Sequence, residues 1–270
     1  TAYVRMGGRE EERRAAEYLV SVCNEFTTGA YTESFPVDMA DIKRAKLYAD
    51  GEEIACKGYF LCGSGIVEGE LYYLRSTDKY SLSQCRGKIV MIDSYLGYWR
   101  YRDLLDSGAI AFITFDGNVN YADRDIDRRE LRSYVCQGAA DGVKLPGVNI
   151  NAKDAIDLVK AGAVTAVITL EQEEYSGDSH NVILDIPGKN GKYIVFTAHY
   201  DSTSLSQGSY DNMSGCAGLL GMAEYFLTHK HTHNLRFIWC GSEERGLLGA
   251  KAWVKDHEAE LGSIDLNINL

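Results

Sequence analysis

The stretch IVFTAHYDSTSLSQGSYDNMSG, residues 194–215, decides how this chain is interpreted. It opens as an apolar strand and ends in small residues of the kind that start a helix. Between these ends stand His199, Asp201 and Asp211, three side chains that can bind a metal ion. Because buried polar groups are costly without a partner, their position directly after a strand indicates a site.

Strand-like and helix-like segments alternate along most of the chain. Apolar strands are predicted at 31–37, 45–48, 88–92, 109–115, 146–150, 164–170, 182–186, 193–198 and 235–240, with another opening at 268–270. Helices are predicted at 9–26, 98–107, 153–161, 215–227 and 247–257. This alternation predicts an α/β fold with a mostly parallel sheet that helices cover on both faces.

Composition and charge exclude several classes of protein. The chain of 270 residues has 45% apolar and 25% charged residues, which is typical of a globular protein with one large domain or two moderate ones. Its 28 basic and 39 acidic residues give a net charge of −11, which argues against a nucleic-acid or anionic-membrane surface. No run of 18 apolar residues occurs, so no membrane span is predicted.

The cysteines bear on the compartment. They are odd in number, scattered and free of any C-x-x-C pair: Cys23, Cys56, Cys62, Cys85, Cys136, Cys216 and Cys240. This pattern favours reduced thiols and hence a cytoplasmic location, although one disulfide, Cys56–Cys62 or Cys85–Cys136, stays open. The sequence begins at Thr1, so a removed signal peptide, and with it secretion, also stays open.

Polar side chains follow two strands of the predicted sheet. Glu243 and Glu244 come just after one strand, as His199 comes just after another. Binding crevices in open α/β sheets lie outside the carboxyl ends of the strands, so we expect these side chains at one edge. Asp211 precedes a predicted helix, whose first N–H groups stabilise negative charge.

Each of these residues also has an ordinary structural explanation. The imidazole could be a satisfied polar group, Asp211 part of a helix cap, and the two glutamates a solvated loop. Taken together, four ligand-type residues at one sheet edge favour a functional site. The alternating His229, His231 and His233 could bind metal through one face of an extended segment, but we expect a polar loop there.

Three motifs occur in a fixed order: TAHYDS (197–202), YDNMSG (210–215) and GSEERGLLGAKAW (241–253). In that order they resemble the H-x-D, D-N-x-S-G and E-E-x-G-L-x-G-S/A motifs of the M28 family of zinc peptidases. GGREEERRAAEYLVS (7–21) is similar to the family's first helix. The resemblance implies a zinc-exopeptidase fold of the phosphorylase/hydrolase-like type.

The resemblance also implies roles for individual residues. His199 would bind one zinc ion, Glu244 a second, and Asp211 would bridge the two Zn²⁺ cofactors. Glu243 would be the general base and acid, and Asp201 would orient His199 from outside the ligand set. The implied activity is an aminopeptidase acting on peptide substrates, while the carboxypeptidase and glutaminyl-cyclase activities found in the family stay open.

The middle of the chain resembles a protease-associated (PA) domain, which some of these peptidases carry as an insertion. The segments that carry this resemblance are CRGKIVMIDS (85–94), SGAIAFITFDG (107–117) and LPGVNINAKDAIDLVKAG (145–162). We therefore expect residues 1–45 and 171–270 to form the peptidase domain, and residues 46–170 to form an inserted, smaller α/β domain. The oligomeric state is not predicted.

Two ligands of the family pattern lie beyond these motifs, an aspartate after a strand similar to 266–270 and a later histidine. We therefore expect this chain to be the front part of a longer peptidase, with weak zinc binding and little activity by itself. The alternative is a non-catalytic binding protein that keeps the fold and interacts through its PA-like domain. The substitution Glu243→Gln would distinguish the two hypotheses, because an enzyme would lose almost all turnover while retaining its metal.

Overall fold

The computed structural model describes residues 4–93, 96–117, 142–204 and 206–270. Its helices are α1 (Glu10–Phe26), α2 (Lys79–Ser83), α3 (Tyr98–Ser107), α4 (Ala152–Ala161), α5 (Met213–Thr228) and α6 (Leu248–Asp256), with a 3₁₀ helix over Glu258–Ser263. Its strands are β1 (Tyr31–Ala49), β2 (Glu52–Ile54), β3 (Cys56–Gly58), β4 (Gly65–Leu74), β5 (Ile89–Ile92), β6 (Ala111–Asp116), β7 (Gly147–Asn151), β8 (Thr165–Ile186), β9 (Tyr193–His199), β10 (Asn234–Cys240) and β11 (Ile264–Asn269). The predicted α/β class is confirmed.

The chain separates into two compact units. The terminal unit consists of the segment that ends at Val37 together with Ser176–Leu270, and the middle unit is Asp38–Tyr175. In the terminal unit the strands lie in the order β11-β9-β10-β8. β9 pairs in parallel with both β10 and β11, whereas residues 182–186 of β8 pair antiparallel with β10.

The register of β9 and β10 determines where their loops begin. Cys240 lies opposite His199, the last residue of β9, so both parallel strands end at the same level. The loops that follow them therefore leave the sheet side by side. This is the geometry that the sequence predicts for a shared edge.

Helices cover both faces of the terminal sheet. α1 and α5 pack on one face through buried side chains that recur at helical spacing: Ala16, Leu19 and Cys23 from α1, and Cys216, Leu219 and Ala223 from α5. On the other face, Trp253 of α6 packs with Val195 and Ile238. Because alternate residues of a strand point to opposite faces, neighbouring residues of β9 belong to different cores.

The middle unit has its own sheet and core. Strands β4, β5, β6 and β7 pair in parallel in this order, while β3 joins β7, and residues 165–170 of β8 join β4, in antiparallel pairs. α4 begins with the side chain of Asn151 capping Lys153 N–H, and it ends at Gly162, whose φ of 69° is left-handed. Like the terminal unit, the middle unit thus has a sheet with a parallel centre and helices beside it.

Two predicted breaks between strands are absent. The two short strands predicted before residue 49 form the single strand β1, and β8 joins the two strands predicted on either side of residues 171–181. β1 pairs with β8, and the ion pairs Lys43–Glu173 (3.0 Å) and Arg44–Glu171 (3.6 Å) link their polar stretches. Opposite charges on paired strands allow a sheet to continue through residues that an apolar pattern does not mark.

Two further expectations concern the cysteines and the helices. Cys56 and Cys62 are free thiols, so a disulfide between them is excluded. Cys85 is also a free thiol, and Cys136 lies outside the described residues. Within the described part of the chain, every helix is too short or too polar to span a membrane.

Candidate metal centre

The two loops beyond the carboxyl ends of β9 and β10 bring the predicted ligands together. Ligand atoms of His199, Asp211 and Glu244 all lie within 4.8 Å of one another. Nε2 of His199 is 2.9 Å from Oδ1 of Asp211 and 3.7 Å from Oε2 of Glu243. In the described part of the chain this is the one cluster of three or more histidine, cysteine or acidic side chains close enough to hold an ion.

Asp201 is fully buried behind this cluster and makes two kinds of contact. Its Oδ1 lies 3.4 Å from Nδ1 of His199, an ion-pair separation rather than a good hydrogen bond. Its two carboxylate oxygens accept hydrogen bonds from the N–H groups of Glu243 (2.9 Å) and Glu244 (3.1 Å). The role of Asp201 in orienting His199 stays a prediction, and its hold on the glutamate loop is a contact that the sequence does not reveal.

The position of Asp211 follows from the start of α5. The side chain of Asn212 caps the helix by accepting the N–H of Gly215 at 3.1 Å. Asp211 directly precedes this cap, and its side chain is 72% exposed. The structure therefore places one accessible carboxylate beside the half-buried pair of glutamates.

The cluster carries more negative than positive charge. Burial alone would lower the pKa of His199, but Asp201, Glu243 and Asp211 outweigh it and raise the pKa to about 9. Burial, followed by repulsion from Asp201 and Asp211, raises the pKa of Glu244 to about 7 and also raises that of Glu243. Four carboxylates around a single imidazole form a site that a positive charge would stabilise.

An apolar cavity of about 410 Å³ lies beside the cluster. His199 and Glu243 contribute to its lining, and most of the remaining wall comes from β9, β10 and α6, including Ile238, Trp253 and Val254. Apolar walls lower the local dielectric constant, which strengthens the electrostatic interactions of the neighbouring polar groups.

The histidines of the H-x-H-x-H run do not form a second cluster. His229 stacks on Tyr225 with ring centroids 3.6 Å apart, and Nδ1 of His231 lies 2.8 Å from the carbonyl oxygen of His233. Nε2 of His233 lies 3.1 Å from Asp265. These separate contacts agree with the predicted polar loop between α5 and β10.

Two residues that contact the ligand loops, Arg5 and Glu12, are not indicated by any sequence motif. Glu12 belongs to a run of three glutamates at the start of α1, a pattern typical of a solvent-exposed first turn. In the structure its side chain is 1% exposed and contacts the loop after β10. One signal could have revealed it, because Glu12 stands four residues before Ala16 and therefore on the buried stripe of α1. Arg5 lies before any predicted element, so no pattern marks it.

The chain is similar to known peptidases in sequence and in fold. Residues 181–270 match the sequence profile of "Peptidase family M28". The matched segment contains His199, Asp211, Glu243 and Glu244 and most of the terminal sheet. The family similarity thus covers the part of the chain that carries the cluster.

Individual relatives show the same similarity over longer stretches. Aminopeptidase YwaD of Bacillus subtilis (strain 168) is 36% identical over 196 residues, which are 70% of this chain and 40% of that protein. The probable lipoprotein aminopeptidase LpqL of Mycobacterium tuberculosis (strain H37Rv) is 26% identical over 200 residues, which are 72% of this chain and 38% of that protein. The chain therefore spans about two fifths of the length of these relatives.

A solved structure confirms the fold over nearly the whole chain. BSAP, a zinc aminopeptidase from Bacillus subtilis, superposes with a TM-score of 0.76 at 24% sequence identity. The superposition covers 98% of this chain and 64% of that one. At this identity the match establishes the architecture, a mixed α/β sheet flanked by helices.

Proposed function

We propose that this chain carries the metal centre of a zinc-dependent aminopeptidase of the M28 type, which removes N-terminal residues from peptides. The observation that carries the proposal is the convergence of His199, Asp211 and Glu244 within 4.8 Å at one sheet edge. The profile match over residues 181–270 and the aminopeptidases among the relatives support it.

The donor set suits zinc. Imidazole nitrogen and carboxylate oxygen are ordinary zinc ligands, and catalytic zinc sites keep a position open for water or substrate. The raised pKa of Glu244 reflects first its burial and then the negative charge of Asp201 and Asp211. A divalent cation would supply the missing positive charge.

We assign the ligands to two zinc ions. His199 would bind the first ion, Glu244 the second, and Asp211 would contribute one carboxylate oxygen to each. The exposure of Asp211 and the closeness of its carboxylate to both other ligands support a bridging role. When bound, the ions would polarise the scissile carbonyl and lower the pKa of a water molecule towards neutrality.

Glu243 would move the proton during hydrolysis. Its Oε2 lies 3.7 Å from Nε2 of His199, at the edge of the cluster and outside the set of three ligands. A carboxylate with a raised pKa is suited to accept a proton from the attacking water and to return it to the leaving amine. Asp201 would keep Glu243 in place by holding its backbone N–H.

The substrate would be a peptide whose apolar side chain lies close to the cleaved bond. The apolar cavity next to His199 and Glu243 supports this preference. The free thiols of the described cysteines support a reducing compartment. The middle unit would be the PA-like domain, a proposal supported by its own α/β sheet and core.

Zinc titration by isothermal calorimetry tests the metal centre. The chain is stripped with a chelator and compared with His199→Ala, Asp211→Asn and the matched control His229→Ala, which changes an exposed histidine outside the cluster. We expect the first two variants to weaken zinc binding by more than the roughly 10–100-fold that follows loss of a surrounding partner. The control should bind like the unaltered chain. Equal binding by all four proteins would contradict the proposal.

A further inference from the structure

Residues 5–12, which lead into α1, contact both loops that carry the predicted ligands, the loop after β9 and the loop after β10. We propose that Glu12 and Arg5 are positioning residues of the metal centre: Glu12 for the loop that carries Glu243 and Glu244, and Arg5 for the loop that leads to Asp211. This inference rests on the proposed function, because it assigns a purpose to contacts around that site.

The carboxylate of Glu12 is buried and collects hydrogen bonds from several parts of the terminal unit. Its Oε1 accepts from Ser242 N–H (2.7 Å), from Ser242 Oγ (3.1 Å) and from Ser179 Oγ (2.8 Å). Its Oε2 accepts from the N–H of Gly8 at 2.6 Å. One side chain of α1 thus connects β8 and the start of the loop after β10.

Glu12 and Asp201 bind successive backbone N–H groups of the loop that carries the two glutamates. The consecutive N–H groups of Ser242, Glu243 and Glu244 all donate to buried carboxylates, the first to Glu12 and the other two to Asp201. Ser242 has a left-handed φ of 52°, a conformation that costs a non-glycine residue about 1 kcal/mol or more. The bonds to Glu12 hold Ser242 in this conformation, which sets the direction in which the next two side chains leave the backbone.

Arg5 acts on the other loop with the opposite charge. Its guanidinium donates to the carbonyl oxygens of Tyr200 (2.7 Å), Gln207 (2.8 Å) and Gly208 (3.2 Å). Its backbone pairs with Ser202, accepting from its N–H at 3.1 Å and donating to its Oγ at 2.9 Å. The two ends of the loop after β9 are thereby fixed to one side chain, close to Asp211.

Close approach of the backbones supports this arrangement. A Cβ atom on Gly7 would lie 2.3 Å from Oγ of Ser242, so the segment before α1 comes as near to the loop as a glycine allows. The guanidinium of Arg245 donates to the carbonyl oxygen of Gly7 at 3.2 Å. The segment is therefore attached to the glutamate loop from both directions.

Packing alone gives no reason for a carboxylate at position 12. Burial raises the pKa of Glu12 to about 7, which shows that the charged form is costly there even with four hydrogen bonds. An apolar side chain on the same helical stripe would fill the space without that cost. What an apolar residue could not do is accept the N–H of Ser242, and this is the contact that orients the glutamates.

The experiment measures zinc affinity and thermal unfolding of the same proteins. Glu12→Leu, which cannot accept the N–H of Ser242, is compared with Glu11→Leu, the same change at an exposed position of α1, and Arg5→Lys is compared with the exposed Arg14→Lys. We expect Glu12→Leu and Arg5→Lys to weaken zinc binding about tenfold or more, and to reduce the rise in melting temperature that zinc produces. The two controls should match the unaltered chain.

The outcomes separate positioning from mere stability. A purely structural role would lower the melting temperature equally with and without zinc, and would leave zinc affinity unchanged at temperatures where the protein is folded. That result for both variants, with weakened binding in His199→Ala, would overturn this inference alone. Unchanged binding in His199→Ala would overturn the proposed function and this inference with it.

Discussion

The two ligand loops of the terminal unit are stabilised in opposite ways. After β10 the loop reaches its glutamates within four residues, and the N–H groups of Ser242, Glu243 and Glu244 donate to buried carboxylates. After β9 the loop takes twelve residues from His199 to reach Asp211, and its carbonyl oxygens accept from Arg5. Backbone groups that lack partners in a sheet must find them elsewhere, and each loop has a side chain of the matching charge.

This difference indicates that the two loops have different roles in the site. The short loop has its backbone fixed at three successive positions, so it is suited to hold the side chains that need the strictest geometry. The long loop is fixed at its ends and presents an exposed carboxylate, Asp211. The first loop should therefore be the more sensitive to change, and its variants should show the larger effects.

The largest effect is expected from the short loop, at the residue proposed to move the proton. Glu243→Gln keeps the size of the side chain and removes its ability to accept a proton. Under the proposed function, kcat for hydrolysis of an aminoacyl anilide should fall about 1,000-fold, while zinc content stays the same. Stopped assays combined with metal analysis check both values, and undiminished turnover would favour a non-catalytic role for Glu243.

The second prediction concerns the buried acid behind the short loop. The pKa of Glu12 is about 7 in the folded chain, above the ordinary value of 4.5, so the folded state binds the proton more tightly than the unfolded state. Its stabilising contribution is complete below about pH 4.5 and is lost as pH rises through 7, by roughly 3 kcal/mol.

Urea unfolding of the metal-free chain between pH 4.5 and 8 measures this dependence. Glu12→Gln should remove most of the decline that comes from this residue, while Glu11→Gln should keep it. Glu244, whose pKa is also about 7, adds a decline of the same sign that is common to all three proteins. Parallel curves for Glu12→Gln and the unaltered chain would contradict the assignment.

A third prediction tests the close packing at the start of the short loop. A Cβ atom on Gly241 would lie 2.4 Å from the carbonyl oxygen of His180 and 2.9 Å from Oε1 of Glu12. Gly241→Ala should therefore lower the free energy of unfolding by about 2–3 kcal/mol. Gly221→Ala, in the interior of α5 with no atom within 4 Å of the new methyl, should instead raise it by about 0.5–1 kcal/mol. Equal effects of the two changes in urea unfolding would show that the loop is not tightly packed.

The smallest effect is expected at the start of the long loop. The buried hydroxyl of Tyr200 donates to the carbonyl oxygen of His180 at 2.7 Å. Tyr200→Phe removes this bond without a change of shape, so the free energy of unfolding should fall by about 1 kcal/mol. Zinc affinity should stay within twofold of the unaltered chain, and a larger loss would mean that the long loop is as sensitive as the short one.

Sequence patterns were sufficient for most of the architecture. The helix predicted at 98–107 coincides with α3, because apolar periodicity reflects burial directly. Five strands begin and end within two residues of their predicted bounds: β5, β6, β7, β9 and β10. The long strands β1 and β8 were missed as continuous elements. Their polar middle sections are held by partners such as Lys43 and Glu173, and pairing between distant segments leaves no local signal.

The sequence predicted the three ligands, but it did not predict the residues that hold the ligand loops in place. His199, Asp211 and Glu244 follow strands or precede a helix, so chain order alone places them near one edge, although their roles stay predictions. Glu12 and Arg5 contact partners roughly 200 residues away in sequence. Only the helical spacing of Glu12 from the buried stripe of α1 hinted that its carboxylate is enclosed.

The insertion of the middle unit between Val37 and Ser176 has a consequence for synthesis of the chain on the ribosome. Glu12 emerges 230 residues before Ser242, its partner, which at 5–20 residues per second is a delay of roughly 10–50 s. During that interval the apolar side of α1, including Leu19 and Cys23, has no sheet to cover it. Helix α1 is thus translated well before its permanent neighbours, while the intervening 138 residues, 38–175, can already fold around a core of their own.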